Sequence, residues 1–524
     1  MDTNDTSDDG RPLELLVVGL DGLSYNMLDR FDIEVPYLDH VRETGVSGDL
    51  MSVDTPTTLP AWTSFATAQD PGSHGVSNML KQGSDYEVTP IESVKRVPAV
   101  YDFLDDGAFV NLPASVGREP AAENTHLVSA MLAKDEADAV PPYLRELSAY
   151  DDYILDHDKS LKVNPDRYFD HVCEITEARR DFARELFETY EPRVGFVLFS
   201  TPDWAGHLLS NFSDRETAGR YYSQLLTVVN DCTADLAEMS ENVVLMSDHG
   251  FEHKETNVHV NDWLGDQGYL TEHDTGTSPQ GLLVNLAEQV GKRSDRLYEL
   301  MRRTYNYIIA TDVGQSLQDA AKPDIDFRNS TAWQLRYGCV YINDDRFDDP
   351  AVDEAERDRL RRRIRDELAS LTDDDGDPLF RDVLFPEEAY ADPGPDAPDV
   401  IARPAPGCYP TMLRSPRGGY ASPTNNYNHR YRGVFAATGP AFTDGTVEGM
   451  SIVDVVPTVM HALGEPLSPT FDGEPRLDVL TTDRDPAVLD RDGVPTPRRR
   501  GEQTAQSERD AAVEERLEDL GYIE

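Results

Sequence analysis

The sequence predicts an α/β fold, with a mostly parallel central sheet, flanking helices and an inserted α+β cap. Three short apolar runs, residues 13–20, 194–200 and 242–247, are rich in Val, Leu or Phe. Such runs are typical of buried parallel strands. Helical patterns at residues 168–189 and 215–239 lie between them. Strands that alternate with helices favour a parallel sheet.

The middle of the chain is less regular than its start. It contains a helical pattern at residues 282–312, a strand pair around residues 332–343 and a charged helix at residues 353–371. A further strand at 431–438 and a helix at 453–463 follow. We therefore expect this organisation: a flexible N-terminus at 1–12, a catalytic core at 13–261 and 403–481, a substrate-specificity cap at 262–402, and a polar linker with a short C-terminal helix at 482–524.

The charge of the chain is strongly acidic. Its 524 residues include 98 acidic and 48 basic side chains, which gives a net charge of −50. Self-repulsion of that size is tolerable where salt screens it, because the Debye length falls to about 3 Å at 1 M salt. The composition predicts a halophilic protein in a salt-rich cytoplasm; an ordinary acidic enzyme is the alternative. Such a surface repels nucleic acids and anionic membranes, so we expect neither as a partner.

Cysteine usage and hydropathy give two further expectations. The four cysteines contain no CxxC pair, which argues against a disulfide framework and a thiolate zinc site. The first residues lack the basic and apolar stretches of a signal peptide, and no run of about 18 apolar residues occurs. We expect a cytoplasmic protein, and the sequence leaves its oligomeric state open.

Acidic and imidazole side chains follow the first three predicted strands at the points where those strands end, and His429 lies just before the predicted strand at 431–438. Each alone has an ordinary structural explanation, but the carboxyl ends of parallel strands meet at one edge of a sheet. Carboxylates and imidazoles without thiolates suit Zn²⁺ or Mn²⁺, and six ligands are enough for two ions about 4 Å apart. The candidate ligands are Asp21, Asp203, His207, Asp248, His249 and His429.

A threonine lies at the start of a predicted helix over residues 60–69, which has Pro60 just inside its start. Thr58 then falls in the N-cap region, and a helix-capping role is its ordinary explanation. A helix N-terminus also binds phosphoryl groups, and a nearby metal lowers a hydroxyl pKa. Thr58 is therefore the candidate nucleophile, and spacing alone leaves Thr55 and Thr57 as alternatives.

These motifs together resemble the alkaline phosphatase superfamily, in its type I phosphodiesterase/nucleotide pyrophosphatase family. The resemblance spans most of the chain and would make it a halophilic, archaeal-like member. The motifs occur in the family's order: Asp21, Thr58-Leu59-Pro60, Pro71-Gly72-Ser73-His74-Gly75, Asp203 with His207, Asp248-His249-Gly250, and His429.

The resemblance implies a two-metal centre with a covalent phospho-threonine intermediate. Thr58 would attack phosphorus, and water would then release the product. Asn78 would steady a phosphoryl oxygen, and His74 would have a structural role. Zn²⁺ is the favoured ion and Mn²⁺ the alternative. One ion would be held by Asp21, Thr58, Asp248 and His249, and the other by Asp203, His207 and His429.

The resemblance implies hydrolysis of phosphodiester or nucleotide pyrophosphate bonds in a small-molecule phosphate ester or nucleotide. Leu59, Ala61 and Trp62 replace residues that surround the nucleophile in nucleotide-cleaving members, so an aromatic slot for a base is not implied. Two alternatives remain: a transferase that passes a phosphoryl group to a sugar or lipid headgroup, and a non-catalytic protein with a relic metal site.

Overall fold

A computed structural model of the chain describes residues 13–90, 97–113, 115–129, 133, 137–212, 214–273, 324–415 and 418–499. The predicted segments at 1–12, 282–312 and 511–522 lie outside these residues. The strands are β1 (Leu13–Leu20), β2 (Val46–Met51), β3 (Leu80–Gln82), β4 (Val88–Pro90), β5 (Gly107–Val110), β6 (Arg118–Glu119), β7 (His126–Ser129), β8 (Asp138–Val140), β9 (Val194–Phe199), β10 (Ser240–Met246), β11 (Gly250–Val258), β12 (Ala332–Gln334), β13 (Cys339–Ile342), β14 (Phe380–Leu384), β15 (Val400–Pro404), β16 (Cys408–Pro410), β17 (Ala421–Arg430), β18 (Arg432–Thr438), β19 (Gly445–Thr446), β20 (Met450–Ser451) and β21 (Arg498–Arg499).

Helices connect several of these strands. Short 3₁₀ turns also occur, at Pro142–Glu146, Ser148–Tyr150, Lys159–Val163, Leu209–Asn211, Phe327–Asn329, Leu477–Val479 and Arg491–Gly493. The α-helices are α1 (Tyr25–Phe31), α2 (Pro36–Thr44), α3 (Thr58–Thr67), α4 (Pro71–His74), α5 (Val100–Phe103), α6 (Pro165–Tyr190), α7 (Thr201–Leu208), α8 (Arg215–Ala237), α9 (Val260–Asp266), α10 (Glu354–Leu368), α11 (Pro386–Ala389) and α12 (Ile452–Ala462).

The central sheet has the order β19-β2-β18-β10-β1-β9-β5-β7-β8, with β20 beside β2. Strands β10, β1, β9, β5 and β7 form a continuous parallel block. The predicted strand at 431–438 is present as β18, and it runs antiparallel to β10. This arrangement confirms the predicted α/β fold with a mostly parallel sheet.

Apolar residues cover both faces of the sheet, as near-continuous apolar strands require. On one face, α6, α7 and α8 pack through residues such as Phe182 and Leu225. On the other face, α3 and α12 pack through residues such as Trp62 and Val455. No helix in the described part of the chain is long and apolar enough to cross a membrane. The four cysteines are buried and free.

A smaller sheet, β12-β13-β15-β14, packs with α10 around a separate apolar cluster, and most of it falls in the predicted cap at 262–402. The predicted strand pair around 332–343 is the antiparallel pair β12–β13. The hairpin β3–β4 joins this cap from the N-terminal half, because Tyr86 stacks on Phe347 with ring centroids 5.2 Å apart. In the predicted C-terminal linker, β21 pairs with β6. The proposed domain boundaries remain a prediction.

Candidate metal centre

Three adjacent strands deliver three carboxylates to one edge of the central sheet. β9, β1 and β10 are parallel neighbours, so their carboxyl ends coincide. Asp21 follows β1 directly, Asp203 lies in the first turn of α7 after β9, and Asp248 follows β10. All three side chains are buried. The sequence prediction that these carboxylates share one sheet edge is therefore confirmed.

A second sheet, β16-β11-β17, brings the late histidine to the same edge. β11 begins at Gly250, just after His249, and pairs with β17 in antiparallel register so that Phe251 lies opposite His429. The rings of His249 and His429 consequently stack with centroids 4.0 Å apart. The sequence placed His429 just before the strand at 431–438, which is β18, and the structure shows that His429 also lies near the end of β17.

The candidate ligands form two groups. In the first, His249 Nε2 lies 3.6 Å from Asp21 Oδ1 and 3.3 Å from Asp248 Oδ2. In the second, Asp203 Oδ1 lies 3.1 Å from His429 Nε2 and 3.6 Å from His207 Nε2. Ligand atoms of Asp203, His207 and His429 all lie within 4.8 Å of one another, as do those of Asp21, Asp203 and His249. Asp203 thus stands between the two groups.

Several atoms in this cluster are buried without a hydrogen-bond partner in the described part of the chain. They are Asp21 Oδ1, Asp203 Oδ1, Asp248 Oδ2 and His249 Nε2. Leaving a buried polar atom unpaired costs about 1–3 kcal/mol, and more for charged groups. Four such atoms turned toward one another fit bound cations, and their oxygen and nitrogen chemistry suits Zn²⁺ or Mn²⁺.

The electrostatics of the cluster also favour cations. Burial, Asp248 and Asp203 raise the pKa of Asp21 well above its usual range, and burial raises the pKa of Asp248 likewise. Burial lowers the pKa of His207 to about 4, that of His429 to about 3, and that of His249 well below normal. The histidines are therefore neutral at pH 7, the form that binds metal, while the carboxylates repel one another.

Hydrogen bonds to the outer nitrogens fix two of the rings. His429 Nδ1 donates to the Pro56 carbonyl at 3.0 Å, and His249 Nδ1 donates to the Gly250 carbonyl at 3.2 Å. Because carbonyl oxygens only accept, each Nδ1 carries the proton and each Nε2 presents a lone pair to the cluster. Partners of this kind orient metal ligands in known metal sites.

Two donors hold the carboxylates in place. The Gly22 amide donates to Asp248 Oδ1 at 3.2 Å, and Trp62 Nε1 donates to Asp21 Oδ2 at 3.2 Å. Trp62 is fully buried against β1, where a Cβ on Gly19 would lie 2.6 Å from its ring. Glycine is therefore required at that strand position. Sequence reasoning treated Trp62 only as a departure from the family, and missed its contact with Asp21.

Thr58 is the first residue of α3, two residues before the predicted helix start. Thr57 occupies the N-cap position with φ −132° and ψ 154°, and makes no side-chain cap hydrogen bond. Contacts on either side of Thr58 tie it to the cluster: Pro56 accepts from His429, and Trp62, one turn along α3, donates to Asp21. Thr58 is buried.

The neighbouring threonines differ in their hydrogen bonds. Thr55 Oγ1 donates to the Ser77 carbonyl at 3.1 Å. Thr57 Oγ1 is buried without a hydrogen-bond partner among the residues the structure describes. Thr58 as nucleophile, with Thr57 as its nearest alternative, remains a prediction.

Asn78 is buried beside this segment. Its Oδ1 accepts from the Met79 amide at 2.7 Å, whereas its Nδ2 has no hydrogen-bond partner within the described ranges. An available amide donor suits the predicted contact with a phosphoryl oxygen. His74 lies in the core, where Ser64 Oγ and the Val76 amide contact its two ring nitrogens, in keeping with a structural role.

Comparison with protein families gives one match of long extent. The type I phosphodiesterase/nucleotide pyrophosphatase family matches residues 15–433. A comparison with curated proteins gives no match.

Solved structures resemble the fold at low sequence identity. Phosphonoacetate hydrolase from Sinorhizobium meliloti 1021, in complex with phosphonoformate, is 14% identical with a TM-score of 0.53, over 87% of this chain and 96% of its own. Murine ectonucleotide pyrophosphatase/phosphodiesterase 5 is 15% identical with a TM-score of 0.47, over 86% and 95%. The human form is 14% identical with a TM-score of 0.47, over 90% and 100%.

The family match includes every candidate ligand from Asp21 to His429. The phosphonoacetate hydrolase match supports the fold independently. The chain therefore belongs to the type I phosphodiesterase/nucleotide pyrophosphatase family of the alkaline phosphatase superfamily, and is a hydrolase of that family.

Proposed function

We propose that the protein hydrolyses phosphodiester or nucleotide pyrophosphate bonds of small molecules at a two-metal site, with Thr58 as the nucleophile. The observation that carries this proposal is the convergence of buried, unpaired ligand atoms from three adjacent strands beside the N-terminus of α3. Asp21, Thr58, Asp248 and His249 would hold one ion; Asp203, His207 and His429 would hold the other.

The proposed reaction has two displacements at phosphorus. Thr58 Oγ forms a bond to phosphorus, the bond to the leaving oxygen breaks, and that oxygen keeps the electron pair. Water then attacks phosphorus, the threonine oxygen leaves, and the Thr58 hydroxyl is restored. Two divalent ions would supply charge stabilisation at the attacking and leaving oxygens. The Asn78 amide would donate to a non-bridging phosphoryl oxygen.

The ligand chemistry supports Zn²⁺, with Mn²⁺ as the alternative, because no thiolate takes part. The net charge of −50 supports function in a salt-rich cytoplasm, since salt screens repulsion between acidic groups. It also supports small-molecule substrates rather than nucleic acids or anionic membranes as partners.

Hydrolysis of bis-p-nitrophenyl phosphate at high salt, with added Zn²⁺ or Mn²⁺, tests this proposal. We expect Thr58→Ala to lose at least about a thousandfold in kcat, because no other group replaces the covalent step. Thr67→Ala is the matched control on the same helix, where Thr67 Oγ1 donates to the Thr63 carbonyl and accepts from the Gln69 amide. Thr57→Ala distinguishes the neighbouring hydroxyl.

Different outcomes would contradict different parts of the proposal. Activity retained in Thr58→Ala and lost in Thr57→Ala would transfer the nucleophile to Thr57. Metal binding without turnover on any phosphate ester would identify a relic site. Products trapped on added alcohols, at the expense of hydrolysis, would identify a transferase.

A further inference from the structure

The smaller sheet reaches the metal centre through one hairpin turn. The turn joins β12 to β13, and the Cys339 amide closes it by donating to the Arg336 carbonyl at 2.9 Å. Tyr337 and Gly338 occupy its two central positions with φ of 51° and 79°. Positive φ at both central positions is what a type I′ turn requires. Tyr337 therefore lies at the tip of a tight turn.

Tyrosine is an unfavourable residue at this position. A bulky side chain at positive φ is rare, and asparagine, aspartate or glycine normally supplies the first central residue of such a turn. A residue held in this conformation costs free energy and persists only where its surroundings fix it. The local backbone gives no reason for Tyr337, so the reason must lie in the contacts of its side chain.

The side chain of Tyr337 contacts a predicted metal ligand. Its hydroxyl lies 3.4 Å from His429 Nδ1 and donates to Asn428 Oδ1 at 3.4 Å. Its ring is parallel to the His429 ring within 9°, with centroids 6.1 Å apart, and meets the Tyr409 ring edge-on at 5.7 Å. Tyr337 thus packs between residues of β16 and β17 and touches His429 on the Nδ1 side, opposite the Nε2 that faces the cluster.

These contacts form a closed set of hydrogen bonds around His429. Asn428 Oδ1, which accepts from the Tyr337 hydroxyl, also accepts from the His429 backbone amide at 2.8 Å. A hydroxyl can donate and accept at once, so the Tyr337 oxygen is available to the Nδ1 proton that the Pro56 carbonyl also shares. Tyr337 consequently ties the ring of His429 to the backbone of the same residue.

The backbone of the smaller sheet holds the turn in place. The Ala402 amide on β15 donates to the Gly338 carbonyl at 3.0 Å. A Cβ at Gly338 would lie 2.1 Å from the Ala402 carbonyl oxygen, so only glycine allows this close approach. The position of Tyr337 relative to His429 is therefore set by the smaller sheet.

The two ligand groups are supported from different sides. Trp62 on α3 donates to Asp21, so the first group is held by a helix that packs on the central sheet. Tyr337 contacts His429, so the second group is held in addition by the smaller sheet. A change at Trp62 and a change at Tyr337 should consequently act on different ions.

We propose that Tyr337 is a positioning residue for His429, through which the smaller sheet sets the affinity of the metal site formed by Asp203, His207 and His429. This inference rests on the proposed two-metal function. Hydrogen-bond partners on the outer nitrogen of a histidine ligand fix the orientation of its ring and raise metal affinity. By reciprocity, an ion bound at this site stabilises the turn and the sheet that carries it.

The experiment is a calorimetric titration of the metal-free, full-length protein with Zn²⁺, against a competing chelator, at one fixed salt concentration and pH. The binding step that is lost in His207→Ala belongs to the group that contains His429. We expect Tyr337→Phe to weaken that step by about three- to tenfold, the size of one hydrogen bond, and to leave the other step unchanged.

Two further variants serve as controls. Tyr269→Phe is the matched control, because Tyr269 packs against the same apolar cluster and its buried hydroxyl has no hydrogen-bond partner among the residues that the structure describes. Both binding steps should keep their wild-type affinity in that variant. Trp62→Phe should weaken the step that Tyr337→Phe leaves unchanged, because Trp62 contacts the other group.

The outcomes separate this inference from the proposed function. If the wild type binds fewer than two ions, the two-metal function fails and this inference fails with it. If the wild type binds two ions and both steps in Tyr337→Phe stay within about twofold of the wild type, only the role of Tyr337 is refuted. Equal weakening of both steps also refutes it, because a general loss of structure would then account for the change.

Discussion

An ion pair joins the smaller sheet, through β15, to the segment that precedes Thr58, and its removal should destabilise the protein. Arg403 on β15 donates to both carboxylate oxygens of Asp54, with Nε 2.9 Å from Oδ1 and Nη2 2.5 Å from Oδ2. Tyr390 of the cap also donates to the Asp54 carbonyl at 2.9 Å. Replacement of Arg403 by Met keeps an unbranched apolar stem but removes the guanidinium, and leaves the Asp54 carboxylate without its partner.

The size of the effect follows from exposure. Removing one member of a buried pair costs about 3–5 kcal/mol. The Asp54 side chain is 4% exposed and that of Arg403 is 25% exposed, so water compensates part of the loss. We expect Arg403→Met to lower the free energy of unfolding by about 3 kcal/mol, the lower end of that range. The Asp54→Asn/Arg403→Met double variant should lose less than the sum of the single changes.

The assay is urea unfolding at fixed high salt, followed by tryptophan fluorescence. Arg432→Gln, which breaks the exposed pair with Asp49, is the control and should cost at most about 1 kcal/mol. A loss below about 1 kcal/mol in Arg403→Met, or strict additivity in the double variant, would refute the reasoning.

We also expect kcat to fall in Arg403→Met, because a displacement of about 1 Å at a reacting group costs roughly a hundredfold.

Four further predictions concern the metal centre. Removal of divalent metal with a chelator should lower the thermal midpoint of the wild type, and added Zn²⁺ or Mn²⁺ should restore it. In the metal-free protein, the pKa values of Asp21 and Asp248 are raised. Their contribution to stability is therefore fully present below about pH 4 and is lost as pH rises through the folded pKa. The gain in thermal midpoint on adding metal should consequently increase with pH. The pKa values of His207 and His429 are about 4 and about 3, so protonation of these rings should compete with metal binding only in acid. A metal titration at several pH values measures this dependence. Trp62→Phe should weaken metal binding by about 10–100-fold in the same titration, because Asp21 loses its hydrogen bond, and unchanged affinity would contradict that role.

The sequence predicted the part of the site that depends on local pattern. β1 has the predicted limits, and Asp21, Asp203 and Asp248 follow parallel strands whose order places their ends together. The start of α3 was predicted two residues late, because Pro60 was taken to mark the first turn, whereas the helix already begins at Thr58. A proline tolerates any position in a first helical turn, so it fixes a helix start only approximately.

Long-range pairing was not predictable from the sequence. His429 reaches His249 because β17 pairs with β11 in one register, and a shift of one residue would turn its side chain to the opposite face. Nothing in the local sequence encodes that register.

The charges of the ligand set favour a diester at the reacting centre. Adjacent strands are about 4.8 Å apart, so the sheet itself holds the carboxylates of Asp21, Asp203 and Asp248 closer than their repulsion would allow in a flexible chain. With neutral histidines, and before Thr58 loses its proton, these three charges fall one short of balancing two dications. A phosphodiester monoanion supplies the missing charge, whereas a monoester dianion exceeds it.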